Sequence, residues 1–302
     1  MQTVCFLVPP EADGLPAKVF LRRFTPVTAR LLIACKRMPG GITRWGETLR
    51  TIDPVRTGDE IVLQFPPDRT QTQTESAVPL SIVWENDSVW VVDKPYHTVV
   101  YPTPGHDFDS LAQSFAAYQR QQGGMAAFRP LYRLDKDTSG LLVLGKDRFS
   151  TAALAQKIEK RYLAVCEGVL TWPGRIEKPI GLKPGSRIQR CCGQGQYALT
   201  EYVPLAHDDT YTLLQCRIYT GRTHQIRVHM ASIGHPLAGD DLYGGHLVCI
   251  QRQALHCWRV DIPPVQGGRT EHVVAPIPDD MCRAFPHIFD CFDKKGEFLC
   301  LP

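Results

Sequence analysis

The chain has 302 residues, of which 43% are hydrophobic and 22% are charged, as in water-soluble globular proteins. It contains no run of about 18 apolar residues, which excludes a helical membrane span. The first ten residues are apolar but lack the basic start of a signal peptide, so we predict a cytoplasmic protein. A net charge of +3 does not by itself indicate a nucleic-acid-binding protein.

The cysteines and histidines are not spaced in the way that metal ligands are. The 11 cysteines are scattered, and the adjacent pair Cys191 and Cys192 suits neither a zinc site nor a disulfide framework. An odd count without an export signal favours free thiols in a reducing compartment. His224, His229 and His235 are too unevenly spaced to share one helical face. We therefore predict that no metal is bound.

Basic residues dominate the segment at residues 17–50, where Glu47 is the sole acid. Apolar residues recur there at helical spacing until Gly40 and Gly41, and residues 57–63 resemble a turn into a strand. Two basic helices and a small hairpin would present one cationic face to a phosphate backbone. The basic residues are Lys18, Arg22, Arg23, Arg30, Lys36, Arg37, Arg44 and Arg50.

This segment resembles the alpha-L RNA-binding domain in three short stretches. They are RRF at 22–24, KR at 36–37 before GG, and GDEIV at 58–62. The resemblance implies RNA contacts from Arg22, Arg23, Lys36 and Arg37. The alternative is a solvated helical face without a partner.

A polar stretch without apolar anchors divides the chain. Residues 66–76 have the composition of a linker. We predict an N-terminal region at 1–65 with a domain core at 17–65, a linker at 66–79, a large domain at 80–262 and an extension at 263–302.

Alternating and helical patterns predict the elements of the large domain. The expected strands are 82–84 and 89–92 around a turn at Asn86, then 141–144, 160–168, 211–220 and 254–260. The expected helices are 110–120, 149–159 and 224–233, the last capped by Thr223. Residues 263–302 are expected to be irregular, with one short helix near 281–285.

Three residues stand out on physical grounds. Asp135 lies in a charged turn before an apolar strand, so its carboxylate is either at the rim of the core facing a ligand or in a solvated turn. Arg227 falls on the flank of the apolar face of its helix, where a buried guanidinium needs an anion. Tyr162 lies on the buried side of a strand, the ordinary place of a core tyrosine.

These residues fall in blocks that resemble the RluA-type pseudouridine synthases. The blocks are RLD at 133–135 with TSGL at 138–141, KRYLA at 160–164, and TGRTHQIRVH at 220–229, and they occur in the family's order. Tyr132 and Tyr101 stand where the family usually has His. The resemblance covers residues 80–262, and the alpha-L match covers 17–65.

The resemblance implies an α+β fold, with a mixed, mostly antiparallel sheet, flanking helices and an active-site cleft. It implies isomerisation of uridine in ribosomal or transfer RNA, without a cofactor. Asp135 would be the nucleophile or the base, Arg227 its cationic partner and Tyr162 a stacking surface for the base that assists a late proton transfer. Arg133 would hold the flipped RNA and Arg222 would contact it. We expect a monomer whose partner is RNA, with no membrane.

Two other functions fit parts of the sequence. DTSG at 137–140 echoes the aspartic-protease turn, but a protease needs a second such aspartate, which only a homodimer would supply. A non-catalytic RNA-binding protein would need only the basic N-terminal segment. The three catalytic blocks favour the synthase over both.

Overall fold

The computed structural model describes residues 2–65, 78–105, 108–293 and 295–297. The predicted linker at residues 66–76 lies outside these ranges. The longest helix in the described ranges has 11 residues, and none of these helices could cross a membrane.

A four-stranded antiparallel sheet with two helices forms the N-terminal part. Its strand order is β1-β4-β2-β3. The two predicted basic helices are confirmed, and both end at basic residues that suit the negative end of a helix dipole. The sequence did not predict β1, which lies in the apolar start of the chain and pairs with β4 along its whole length. The elements are β1 Gln2–Leu7, α1 Ala17–Arg23, α2 Ala29–Lys36, β2 Ile42–Arg44, β3 Glu47–Thr48 and β4 Glu60–Phe65.

A nine-stranded sheet organises the rest of the described chain. Its order is β5-β6-β7-β14-β8-β13-β12-β9, with β15 paired to β14, and a separate hairpin joins β10 to β11. The strands are β5 Ser81–Glu85, β6 Val89–Lys94, β7 Ser139–Gly145, β8 Glu159–Glu167, β9 Gly174–Glu177, β10 Ile180–Leu182, β11 Arg190–Cys192, β12 Leu199–His207, β13 Tyr211–Ile218, β14 Leu255–Ile262 and β15 Glu271–Val274. The helices are α3 Leu111–Gln121, α4 Arg148–Leu154, α5 Gln225–Ala231 and α6 Asp279–Ala284.

The predicted fold class is confirmed, because β7 and β14 form the one parallel pair among the described strand pairs of this sheet. Strand β7 is buried along its entire length, as expected of a continuous apolar run covered on both faces. The hairpin at Asn86 is also confirmed. The Asn86 side chain accepts hydrogen bonds from the N–H groups of Ser88 and Val89, which fixes the turn.

Three details of these predictions are wrong. Helix α4 ends at Leu154 instead of Glu159, because Gln156 has a φ of +64° and Glu159 already pairs with Asp261 of β14. The sequence of β8 alternates as if one face were exposed to solvent, but both faces are buried at the centre of the strand. The segment after residue 262 is less irregular than expected, since β15 extends the sheet.

Phe149 of α4 joins the two parts of the molecule. Its ring is 2% exposed and packs in the hydrophobic core of the N-terminal part. The ring centroids of Phe6 and Phe65 lie 5.7 and 5.9 Å away. The core of the N-terminal part is therefore completed by a side chain of the large domain.

Replacing Phe149 with Ala should lower the free energy of unfolding by about 3–5 kcal/mol, because it leaves a cavity between the two parts. Denaturant unfolding of the two proteins measures this change. Phe24→Ala is the matched control, since Phe24 is 43% exposed and should have a much smaller effect. Equal stabilities of the Phe149→Ala and Phe24→Ala proteins would contradict the proposed junction.

Candidate active site

Asp135 lies in the turn that leads into β7. The N–H of Thr138 donates to the Asp135 carbonyl at 3.1 Å, which closes the turn. The Asp135 side chain is 26% exposed, and its carboxylate lies 3.5 Å from a guanidinium nitrogen of Arg227. The predicted pair at the rim of the core is therefore present, with a carboxylate that is both paired and accessible to a ligand.

Arg227 has a second and closer anionic partner, Asp240. Its Nε and Nη2 donate to the two carboxylate oxygens of Asp240 at 2.7 and 2.8 Å. The Asp240 side chain is fully buried. Burial opposes the charged guanidinium, but the hydrogen bonds to Asp240 outweigh burial and raise the pKa of Arg227. Asp240 thus fixes the guanidinium in the plane from which Nη1 reaches Asp135.

The start of helix α5 directs Arg227 towards the cleft. His224 is the N-cap, with a left-handed φ of +58° and no capping hydrogen bond from its side chain, so the predicted cap at Thr223 is wrong. Instead, the amide oxygen of Gln225 accepts from the N–H of Arg222 at 3.0 Å, and its NH₂ donates to the Leu199 carbonyl at 2.9 Å. These bonds attach the helix to β12.

Tyr243 lies against the other side of the arginine. The guanidinium carbon of Arg227 is 5.1 Å from the centroid of the Tyr243 ring, a cation–π contact. The Tyr243 hydroxyl lies 2.8 Å from Nδ1 of His224. Burial lowers the pKa of His224, and the nearby Asp135 carboxylate opposes that shift. A neutral imidazole therefore lies beside the carboxylate at neutral pH.

Tyr162 lies on the inner side of the site. It is 4% exposed and lies opposite Cys257 of the neighbouring strand β14. Burial raises its pKa well above 10, with further increases from Cys257 and from the Asp135 carboxylate. Tyr162 is close enough to sense the charge of Asp135 and keeps its proton at neutral pH.

Two buried basic side chains hold the turn that carries Asp135. Nζ of Lys94 donates to the carbonyls of Pro95, Thr98 and Lys136 at 2.8–3.0 Å. Nη1 of Arg252 donates to the Asp137 carbonyl at 3.2 Å. The consecutive carbonyls of Lys136 and Asp137 are therefore both held by buried donors, which restricts the position of the preceding Asp135 carboxylate.

Arg252 links this turn to the C-terminal segment. Its Nε and Nη2 form a bidentate pair with Asp280 of α6 at 2.7 and 3.0 Å. The sequence assigned no function to residues 263–302. The structure connects that segment to the active-site turn through one buried ion pair.

Gly140 is required by a close approach of strands. Its φ is +107°, and a Cβ there would lie 2.3 Å from the Cys257 carbonyl oxygen. The sequence treated Gly140 as the end of a turn, but it lies inside β7. The missing side chain lets β14 pair in parallel with β7 directly behind Asp135.

Replacing Lys94 with Met should lower the free energy of unfolding by about 2–5 kcal/mol, because three buried carbonyls lose their donor. The difference should depend on pH. Burial lowers the pKa of Lys94 to about 7, opposed by the carboxylates of Asp137 and Asp135. The unfolded lysine keeps its proton to about pH 10.4.

Between these values the unfolded state binds the extra proton, so the stability that Lys94 confers should increase with pH. The expected slope is on the order of 1.4 kcal/mol per pH unit in the difference between wild type and Lys94→Met. Denaturant unfolding of both proteins at pH 7, 8 and 9 measures this slope. A difference that stays constant over this range would show that native Lys94 retains its proton.

The predicted RNA-contacting residues lie on the surface. Arg133 is exposed beside Asp135, near the half-exposed ring of Tyr101. Arg222 is partly exposed and is held by the Tyr197 carbonyl and the Gln196 side chain at 3.0 and 2.6 Å. The four basic residues of the N-terminal helices and their ends are exposed, and Arg22 also donates to the Val27 carbonyl. They are Arg22, Arg23, Lys36 and Arg37.

Sequence reasoning missed four residues that shape the site. Lys94 and Asp240 lie in stretches that resemble the family, VVDKP at 91–95 and GDDLYGG at 239–245, but the resemblance assigned neither of them a role. Arg252 and Asp280 act on a backbone carbonyl and on each other, and no local spacing marks them.

Comparisons with known proteins identify relatives of this chain. Residues 88–232 match the family described as RNA pseudouridylate synthase. The uncharacterized RNA pseudouridine synthase YjbO of Bacillus subtilis is 35% identical over 267 residues, which cover 85% of this chain and 94% of the relative. The ribosomal large subunit pseudouridine synthase D of Xanthomonas campestris pv. campestris is 32% identical over 300 residues, covering 92% and 90%. The solved structure of human RNA pseudouridylate synthase domain containing 1 has a TM-score of 0.56 at 24% identity and covers 76% and 94%.

Proposed function

The chain belongs to the RluA-type RNA pseudouridine synthases, and we propose that it isomerises uridines of large-subunit ribosomal RNA with Asp135 as the catalytic carboxylate. Ribosomal large subunit is the substrate named for the Xanthomonas relative, and for relatives from Nitrosomonas europaea and Haemophilus ducreyi. The match with the Xanthomonas protein extends over nine-tenths of both chains, including the N-terminal part. That extent supports a shared class of substrate.

The reaction moves one bond of the nucleotide. The C1′–N1 bond of uridine breaks, the uracil rotates, and a C1′–C5 bond forms. C5 loses a proton and N1 gains one, so the atoms balance without an oxidant or a reductant. Asp135 either attacks C1′ as a nucleophile or removes a proton from the sugar in an elimination route. Both routes need an ionised carboxylate within reach of the sugar.

The pair of Asp135 and Arg227 is the observation on which the proposal depends. The guanidinium of Arg227 lies 3.5 Å from the Asp135 carboxylate and places a positive charge beside the group that would react. Because Asp240 carries the two short bonds to Arg227, the guanidinium stays in place when Asp135 engages a substrate. Arg227 therefore acts as a fixed positive charge beside the reacting group.

Tyr162 is proposed to hold the base. The target uridine must leave its helix to reach a carboxylate in a cleft, and a flipped base is commonly stacked on an aromatic ring. The raised pKa of Tyr162 keeps the phenol protonated. It is consequently a poor proton acceptor, and we assign it to stacking in preference to accepting the C5 proton.

RNA contacts are proposed at two places. Arg133 is exposed two residues before Asp135 and near Tyr101, where a cation and an aromatic ring can receive a flipped nucleotide and its phosphate. The exposed basic residues of α1 and α2 are proposed to contact the RNA backbone further from the cleft. A cytoplasmic, monomeric enzyme without a cofactor remains our prediction.

Mapping pseudouridines in all cellular RNA tests the proposed function. Cells that lack the gene should lose one or a few pseudouridines in large-subunit ribosomal RNA, and a plasmid copy of the gene should restore them. Losses confined to transfer RNA would refute the substrate while keeping the reaction. An unchanged map, together with no activity of the purified protein on RNA from the deletion strain, would refute both.

A further inference from the structure

Arg190 lies beside the candidate active site in the fold and 55 residues after Asp135 in the sequence. It begins β11, in the hairpin formed by β10 and β11. The backbone N–H of Arg190 donates to the Tyr243 hydroxyl at 2.9 Å. The side-chain amide of the neighbouring Gln189 donates to the Leu242 carbonyl at 2.8 Å. The hairpin is thus attached to the segment that carries Asp240 and Tyr243.

The guanidinium of Arg190 lies within electrostatic reach of the catalytic groups. The Tyr243 hydroxyl, which accepts from the backbone N–H of Arg190, also lies 2.8 Å from Nδ1 of His224. The guanidinium of Arg227 lies over the Tyr243 ring. The pKa of His224 is lowered first by burial, is raised by Asp135 and is lowered by the charge of Arg190. The backbone of Arg190 therefore lies against Tyr243, and its side-chain charge acts on His224.

The charge of Arg190 is not matched by an acid. Other arginines at the site have partners, because Arg227 pairs with Asp240 and Arg252 pairs with Asp280. Among the described residues, the Arg190 guanidinium forms no ion pair, and its Nε is buried without a hydrogen-bond partner. An arginine stays protonated, and a buried donor without an acceptor costs free energy. A bound anion would supply the missing acceptor.

We propose that Arg190 binds a phosphate of the RNA strand next to the target nucleotide and so helps to select the uridine that enters the cleft. The planar guanidinium matches a phosphate in a bidentate geometry, and phosphate contacts fix the register of a nucleic acid on a protein. The short hairpin attached through Tyr243 sets the distance between that phosphate and Asp135. This inference rests on the proposed function, because it takes RNA as the substrate.

Kinetics of three variants test the role of Arg190. The variants are Arg190→Gln, Arg190→Lys and the control Arg187→Gln, which removes the same charge from the exposed turn of the same hairpin. The probe is total RNA from cells that carry only the Asp135→Asn protein, and pseudouridine is quantified at the mapped sites. Thermal unfolding verifies that each variant is folded.

Arg190→Gln should raise KM about tenfold or more, with kcat within a few-fold of wild type, because a charge-assisted contact made throughout binding is lost. The dependence of log kcat/KM on log salt concentration should become shallower by about one. Arg190→Lys should recover the salt dependence and only part of KM, since an ammonium lacks the bidentate fork. Arg187→Gln should change KM less than twofold.

Two results would overturn the inference. One is that Arg190→Gln and Arg187→Gln have the same KM and salt dependence. The other is that Arg190→Gln lowers kcat at unchanged KM, which would assign Arg190 to the support of Tyr243. If wild type forms no pseudouridine, the proposed function fails instead, and the same comparison is made by filter binding of the variants to this RNA.

Discussion

Asp135→Asn should reduce pseudouridine formation by about 10²–10⁴-fold while leaving RNA affinity within a few-fold of wild type. The amide has nearly the same shape as the carboxylate, but it can neither attack C1′ nor remove a proton. Arg227 would remain in place, because its short hydrogen bonds are to Asp240. Single-turnover rates with excess enzyme measure the chemical step, and filter binding measures affinity.

Asp137→Asn is the matched control for this prediction. Asp137 lies two residues away in the same turn, but its carboxylate contacts His97 instead of Arg227. Its replacement should cost less than about tenfold in rate. An Asp135→Asn enzyme with near wild-type rates would refute the assignment of the catalytic carboxylate. If Asp137→Asn were the inactive variant, Asp137 would replace Asp135 as the assigned catalytic carboxylate.

Asp240→Ala should lower the free energy of unfolding by about 3–5 kcal/mol and also reduce the rate. The substitution leaves the guanidinium of Arg227, 7% exposed, without its bidentate partner. The arginine is then free to turn towards Asp135 or towards solvent, and the fixed geometry of the site is lost. Denaturant unfolding and single-turnover kinetics on the same preparation measure the two effects.

The neighbouring acid provides the control for Asp240. Asp241→Ala removes the same charge from an exposed position and should change stability by less than about 0.5 kcal/mol. Asp240→Asn should fall between wild type and Asp240→Ala, because the amide oxygen can still accept one hydrogen bond. If Asp240→Ala were as stable and as active as Asp241→Ala, the guanidinium would have to be held by other groups.

Local patterns in the sequence predicted the elements whose structure depends on neighbouring residues. The Asn86 side chain fixes the predicted turn, the helix predicted at 110–120 forms with Ser110 as its N-cap, and the apolar run at Leu141 forms a buried strand. The family blocks likewise predicted Asp135 and Arg227 as partners, and they lie 3.5 Å apart. The predicted roles of these residues in catalysis await the experiments above.

Elements that depend on distant partners were predicted poorly. Strand β1 forms by pairing with β4, which lies more than 50 residues later in the chain. Strand β15 forms by pairing with β14. Helix α4 is shorter than predicted because Glu159 belongs to β8, where it pairs with β14. In each case a long-range hydrogen-bonded ladder outweighed the local periodicity, which carries no information on the partner.

The sequence by itself determined the family, the order of the main elements and the pair formed by Asp135 and Arg227, because short motifs and periodicities carry that information. Only the tertiary structure decided which groups support that pair. Asp240 holds Arg227, while Lys94 and Arg252 hold the carbonyls beside Asp135. The physical reason is that buried charges need partners, and burial itself arises only when segments distant in sequence pack together.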